Sequence, residues 1–171
     1  MNDDLLANKL AVAVTALAER IDEACAPLAP SAAATLLWLR HWSPRTATEM
    51  APILGLTQPT AQRIVDGLLR DGLAARTKGI GGRAAPVQLT AKGRKLADAL
   101  QARRLASFAD ALAPLGPTDR QTLGHLLDAL LRPMVDGRAY ARHICRFCDH
   151  GICDGPRCPV GSAATELEER Q

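Results

Sequence analysis

The chain has 171 residues, 47% hydrophobic and 23% charged, a balance that excludes wholesale disorder and suits one domain, or one domain with an appendage. Aromatic residues are only 3%, so the core must be assembled from Ala, Leu, Val and Ile, as in close-packed helices. The net charge of +3 is unevenly spread: residues 1–44 sum to −2, residues 45–95 to +6 and residues 96–171 to −1. No apolar run approaches the ~18 residues of a membrane span. The acidic start Met1-Asn2-Asp3-Asp4 does not read as a secretory leader, so a cytoplasmic protein with reduced cysteines is expected.

Residues 5–25 predict an amphipathic helix, with Leu6, Leu10, Val14, Leu17 and Ile21 at spacings of three and four, ended by Pro27 and Pro30. Ser31 is the expected cap of a second helix, which carries Leu36, Leu37, Trp38 and Leu39 and ends near Ser43-Pro44. Thr46 or Thr48 opens a short third helix that Gly55 stops. Thr57 caps a fourth, with Pro59 in its first turn, running to Asp71-Gly72. Residues 73–77 and 86–90 predict two short strands around a tip containing Gly79, Gly81, Gly82 and Arg83. Two long helices follow, near 91–113 and 118–135, broken by Pro114-Leu115-Gly116-Pro117. Beyond residue 137 the composition turns cysteine-rich, and the acidic end, 166–171, is expected to fray.

Two short helices, a tight turn and a hairpin make a winged helix-turn-helix, so the fold expected is mainly α with a two-stranded wing. Thr57, Gln58, Thr60, Gln62 and Arg63 stand at the start of the second of these helices, where a recognition helix enters the major groove. Gln, Thr and Arg hydrogen-bond base edges and phosphates, and a helix N-terminus itself favours phosphate. Arg83 on the glycine-rich tip is suited to the minor groove. The +6 block coincides with this motif, as a phosphate-contacting surface requires. The rival is a winged helix used for protein contacts, its charges a solvated face.

The stretch from Leu54 to Thr60, the run Asp66-Gly67-Leu68-Leu69-Arg70-Asp71-Gly72-Leu73 and the exit Leu89-Thr90-Ala91-Lys92-Gly93 resemble the MarR family of bacterial transcription regulators over roughly residues 5–140. The resemblance implies a homodimer on double-stranded, palindromic operators, usually repressing. It implies dimerisation through terminal helices (here 1–44 and 96–140), a DNA-binding lobe at 45–95, and a small-molecule effector between them. Trp38 and Trp42, four apart on one helix face, are candidates to line such a pocket, with core packing as the alternative. Where the family's wing carries Asp-x-Arg, Gly81 occupies the Asp position, leaving Arg83 without its orienting carboxylate.

Residues 141–171 form a separate cysteine-rich tail. Cys145, Cys148, Cys153 and Cys158 have the spacing C-x2-C-x4-C-x4-C, that of a zinc knuckle with Cys153 in the place of its histidine. Zn2+ is the expected ligand. An iron–sulfur cluster, suggested by the Cys158-Pro159 ending, and a metal-free thiol switch stay open. His143 and His150 are alternative ligands but read more simply as exposed polar residues, and Cys25 reads as a small buried hydrophobe. A knuckle also raises RNA or single-strand binding, against which stands its single stacking ring, Phe147. No catalytic triad, P-loop or dinucleotide fingerprint is present, so no enzyme is expected.

Overall fold

The computed structural model describes residues 2–77 and 85–170. The chain order is α1 (Asp3–Cys25), α2 (Pro30–Trp42), α3 (Ala47–Leu54), α4 (Gln58–Arg70), β1 (Ala74–Arg76), β2 (Val87–Leu89), α5 (Ala91–Leu112), α6 (Pro117–Leu131), α7 (Arg138–Ile144) and α8 (Pro159–Glu169). The mainly helical winged-helix architecture expected from the sequence is present.

The spine of the core is α2. Seven consecutive residues, Ala33 to Leu39, are buried, because helices and the sheet cover it on every side. Its start differs from expectation: Pro30 occupies the first turn after Ala29, and Ser31 does not cap it. Proline can open a helix without a side-chain cap because its missing N–H would have been unpaired there anyway. The acidic end also differs. Residues 166–169 belong to α8, held by Arg132 to Glu166 at 2.7 Å and Arg138 to Glu168 at 2.6 Å.

The hairpin is antiparallel, with Ala74 opposite Leu89 and Arg76 opposite Val87. Arg45, just before α3, adds a bridge to Val87 through backbone bonds of 3.0 and 2.8 Å. The wing base is thereby tied to the entry of the helix-turn-helix.

The exit from the hairpin crosses the turn that follows α4. Thr90 caps α5, its hydroxyl oxygen accepting the Gly93 N–H at 3.0 Å while its one proton is shared between the carbonyls of Gly72 and Leu73. The Leu73 carbonyl also accepts the Thr90 N–H at 3.0 Å. A Cβ on Gly93 would lie 1.9 Å from that carbonyl oxygen. The two sequence runs "DGL" and "LTAKG" are thus two sides of one backbone contact.

The long helix α1 lies along α5, fastened by Arg20 to the Ser107 carbonyl at 3.0 Å and by Arg103 to the carbonyls at the end of α1. Cys25 is its sole buried residue, and Leu5, Leu6, Leu10 and Val14 are exposed. None of the 15 residues of α6 is buried among the described residues, and Leu126, Leu127 and Leu130 face outward. No helix among the described residues is long and apolar enough to cross a membrane.

Candidate nucleic-acid interface and thiol cluster

The recognition helix is built from local signals. Thr46 and Glu49 form a reciprocal capping box at the start of α3. The backbone amide and hydroxyl that Glu49 accepts hold its carboxyl below the usual range. Gly55 ends α3 with φ 66°, the left-handed turn that glycine adopts without strain. Thr57 caps α4, accepting from Thr60 N–H. Ala61, Val65 and Leu68 then face the core at helical spacing, which turns Gln58 and Arg63 outward.

Neighbours position several side chains at this end of α4. Gln58 donates to Thr48 Oγ1 at 3.1 Å, joining the two helices across the turn. Thr57 and Thr60 hydroxyls lie 2.9 Å apart. The half-buried Gln62 donates to Asp66 at 2.8 Å, and Asp66 also receives Arg76 from the wing base at 3.4 Å. Arg63 is exposed. The wing-tip expectation, Arg83, lies outside the described residues.

The cysteine segment does not trail away from this lobe. After α7 it forms a loop that packs back on α2 and α3. His143 hydrogen-bonds the Ile53 carbonyl at 2.9 Å, and its ring fills the space where a Cβ on Gly55 would stand, 2.8 Å from Cε1. The exposed-histidine reading is therefore corrected: His143 is a half-buried strut under the helix-turn-helix turn. His150 is also half-buried, edge-on to Trp42 at 5.3 Å and to His41 at 5.2 Å. Burial pushes both His41 and His150 below the ordinary histidine range.

Asp149 ties the loop to the rest of the chain. It accepts the Gly151 N–H at 2.9 Å and Arg40 of α2 at 3.2 Å, while Arg40 also bonds Asp98 of α5 at 2.6 Å. Buried Gln101 on α5 joins the same region. With its amide oxygen toward Arg104 it accepts from that guanidinium at 2.9 Å and donates to the Phe147 carbonyl at 3.2 Å.

Cys145 lies within electrostatic reach of the other three thiols of the segment. Cys145 and Cys148 interact directly across a tight turn closed by Cys148 N–H to the Cys145 carbonyl at 2.9 Å, and Cys153 interacts with Cys158. Cys148 is lowered to about 7 by the Cys145 thiol and, against burial, by the Arg104 guanidinium. Cys145 is raised by the same bond and by burial, and Cys153 is pushed up to about 12 by burial and by Cys158. Cys158 Sγ accepts the Gly161 N–H at 3.2 Å and so caps α8. Among the described residues, no three His, Cys, Asp or Glu side chains converge on one point as a single ion would demand. Instead Cys145, Cys153 and Cys158 line a cleft of about 170 Å³ with Trp42, Arg138 and Arg142. Trp38 is in the core, with its ring centroid 6.4 Å from that of Trp42. Cys25 is buried on α1, as expected.

No family model matches the chain, and no curated protein does. Solved structures share its fold. A MarR family protein from Bacillus stearothermophilus is 24% identical with a TM-score of 0.66, covering 78% of this chain and 98% of its own. A MarR family transcriptional regulator from Rhodococcus sp. RHA1 is 20% identical with a TM-score of 0.58, covering 76% of this chain and 96% of its own. A Mycobacterium tuberculosis MarR family protein in complex with salicylic acid is 27% identical with a TM-score of 0.57, covering 73% and 95%. The fold is thus one used by regulators of transcription.

Proposed function

We propose that this chain is a dimeric transcriptional regulator that binds palindromic duplex operators, most simply as a repressor. The observation that carries the reading is the exposure of Gln58 and Arg63 on α4, standing on a winged helix whose 45–95 segment carries +6. The bond from Gln58 to Thr48 pre-positions Gln58, so less of its side-chain freedom is lost on docking. Gln58→Ala and Arg63→Ala are each expected to weaken operator binding by ~1–3 kcal/mol per half-site and to relax base preference. Gel shifts against operator variants check this, with single-stranded and RNA competitors in parallel. Preferential capture by the single strand would favour the knuckle-type reading instead.

The dimer rests on the outward leucines of α6 and α1. A helix with no buried residue of its own, carrying Leu126, Leu127 and Leu130, is stable when a second copy covers that face. Two-fold symmetry then places two copies of α4 on two half-sites. Sedimentation at micromolar concentration is expected to give a dimer for the native chain and a monomer for the double variant Leu127→Glu, Leu130→Glu. A native monomer would remove both the dimer and the palindrome.

In this reading Cys145, Cys148, Cys153 and Cys158 would hold a metal centre, Zn2+ or an iron–sulfur cluster, on the strength of their C-x2-C-x4-C-x4-C spacing, although no three donors among the described residues converge on one point. The same loop carries Phe147 and Asp149, and α7 sets His143 against the turn before α4, so a bound centre would bear on how α4 is presented to DNA. A small aromatic acid is the effector class suggested by the salicylic acid complex of the mycobacterial structure. A cleft of about 340 Å³ between α1, α2 and the loop, with Ile21, Phe147, Arg146 and Asp22 on its walls, offers such a molecule an apolar bed and one cation, beside one carboxylate.

A further inference from the structure

We propose that His143 is a positioning residue for sequence recognition: reaching in from the C-terminal segment, it caps the first helix of the helix-turn-helix and fixes the angle at which α4 leaves the turn. The inference rests on the duplex-binding reading above and specifies how the C-terminal segment bears on it.

An α-helix leaves its last four carbonyls without amide partners of its own. At the end of α3 the Ala51 carbonyl accepts the Leu56 N–H at 2.9 Å, and the Pro52 carbonyl accepts the Gly55 N–H at 3.3 Å. No backbone amide among the described residues reaches the Ile53 carbonyl. The His143 ring does, its Nδ1–H donating at 2.9 Å. A carbonyl oxygen only accepts, which puts the ring proton on Nδ1. The same ring stands in the space that a side chain at residue 55 would fill, with Cε1 2.8 Å and Nδ1 3.4 Å from where a Cβ would be. Gly55 therefore serves two needs at once: its φ of 66° closes the turn, and its missing side chain admits the ring.

The ring is also held from its own side. Tyr140, one turn earlier on α7, flanks it at 6.2 Å, and Arg146 donates to the His143 carbonyl at 2.8 Å. Further along, Asp149 anchors the loop to Arg40 of α2 at 3.2 Å. Only Gly55, Leu56 and Thr57 separate α3 from α4, so a shift at the Ile53 carbonyl has little slack in which to be absorbed. Base-edge hydrogen bonds need donor and acceptor about 2.7–3.2 Å apart, whereas attraction to phosphates extends over about 8–10 Å. A small displacement of Gln58 therefore costs discrimination between sequences before it costs affinity for duplex.

The test uses the full chain and two probes, the duplex that the native chain selects from a random-sequence pool and a scrambled duplex of the same length. The ratio of the two affinities is the readout. His143→Ala removes the donor and empties the space, and His143→Leu removes the donor and fills it. Both are expected to lower the ratio about tenfold, with the dependence of affinity on salt as in the native chain. His143→Asn, whose amide N–H takes the place of Nδ1–H, is expected to restore the ratio. Gly55→Asn accepts the left-handed turn but sets a Cβ against the ring, so it should lower the ratio as His143→Ala does, and the double variant should be no worse than either single one. Native ratios in His143→Ala and His143→Leu, an equal loss in His143→Asn, or losses that add in the double variant overturn the positioning role and leave duplex binding standing. A native chain that selects no duplex overturns the duplex-binding reading and this inference with it.

Discussion

Raising the salt from 50 to 200 mM is expected to lower operator affinity by about 10³–10⁵-fold. The 45–95 segment carries +6, and the proposed two-fold dimer would present that charge twice along the duplex. Six to ten phosphates neutralised by such a surface release about as many condensed counterions, and the logarithm of affinity then falls linearly with that of salt. The start of α4 also points this way: its helix dipole favours an anion, and the Thr57 and Thr60 hydroxyls stand beside it. Titrations at several salt concentrations give the slope directly. Replacing one phosphate-contacting arginine reduces it by about one unit, whereas replacing a base-reading side chain changes sequence preference. A flat response would remove the duplex reading, whatever the fold.

The second large effect is on stability. Gly93→Ala is expected to destabilise the protein by about 3 kcal/mol, because overpacking costs about 1–3 kcal/mol where neighbours can shift and more where they cannot. The neighbour here is backbone, since the added Cβ would stand 1.9 Å from the Leu73 carbonyl oxygen. Nor can that carbonyl retreat freely, being held by the amide and hydroxyl of Thr90. For a chain of this size the thermal midpoint should fall by roughly 6–12 °C. Gly67→Ala is the control. In mid-α4 the new Cβ meets the flexible end of Arg70 at 3.6 Å, and alanine is the better helix former, so the change should be neutral or stabilising by up to about 1 kcal/mol. Equal midpoints for the two variants would mean that α5 does not cross Leu73 so closely.

The parts of this fold that were legible in the sequence are those written in local chemistry. Thr46, Thr57 and Gly55 mark helix ends through bonds reaching only three or four residues, and Pro59 marks a first turn for the same reason. The family-like runs around Gly72 and Gly93 were recognisable, although their mutual contact was not, since nothing in spacing reveals that residue 73 meets residue 93. Ser31 misled because a serine near a helix start is the common cap, yet Pro30 alone sufficed. The helices α7 and α8 were missed. One has seven residues and the other is capped by a cysteine thiol, so neither gives the usual signal. The thiol spacing was plain, but its seat against α3 depends on contacts such as His143 with Ile53, ninety residues apart in sequence.

On the proposed reading, that seat would make the operator and the metal centre two ligands of one body. His143 joins the loop to the carbonyl just before Gly55, and Gly55 in turn begins the turn into α4. Thermodynamic linkage is symmetric: by whatever factor the centre alters the grip on DNA, DNA alters the grip on the centre. On that reading a chain resting on its operator and a chain free in solution are expected to surrender the centre at different chelator concentrations, and the genome itself would become a term in the equilibrium of the metal.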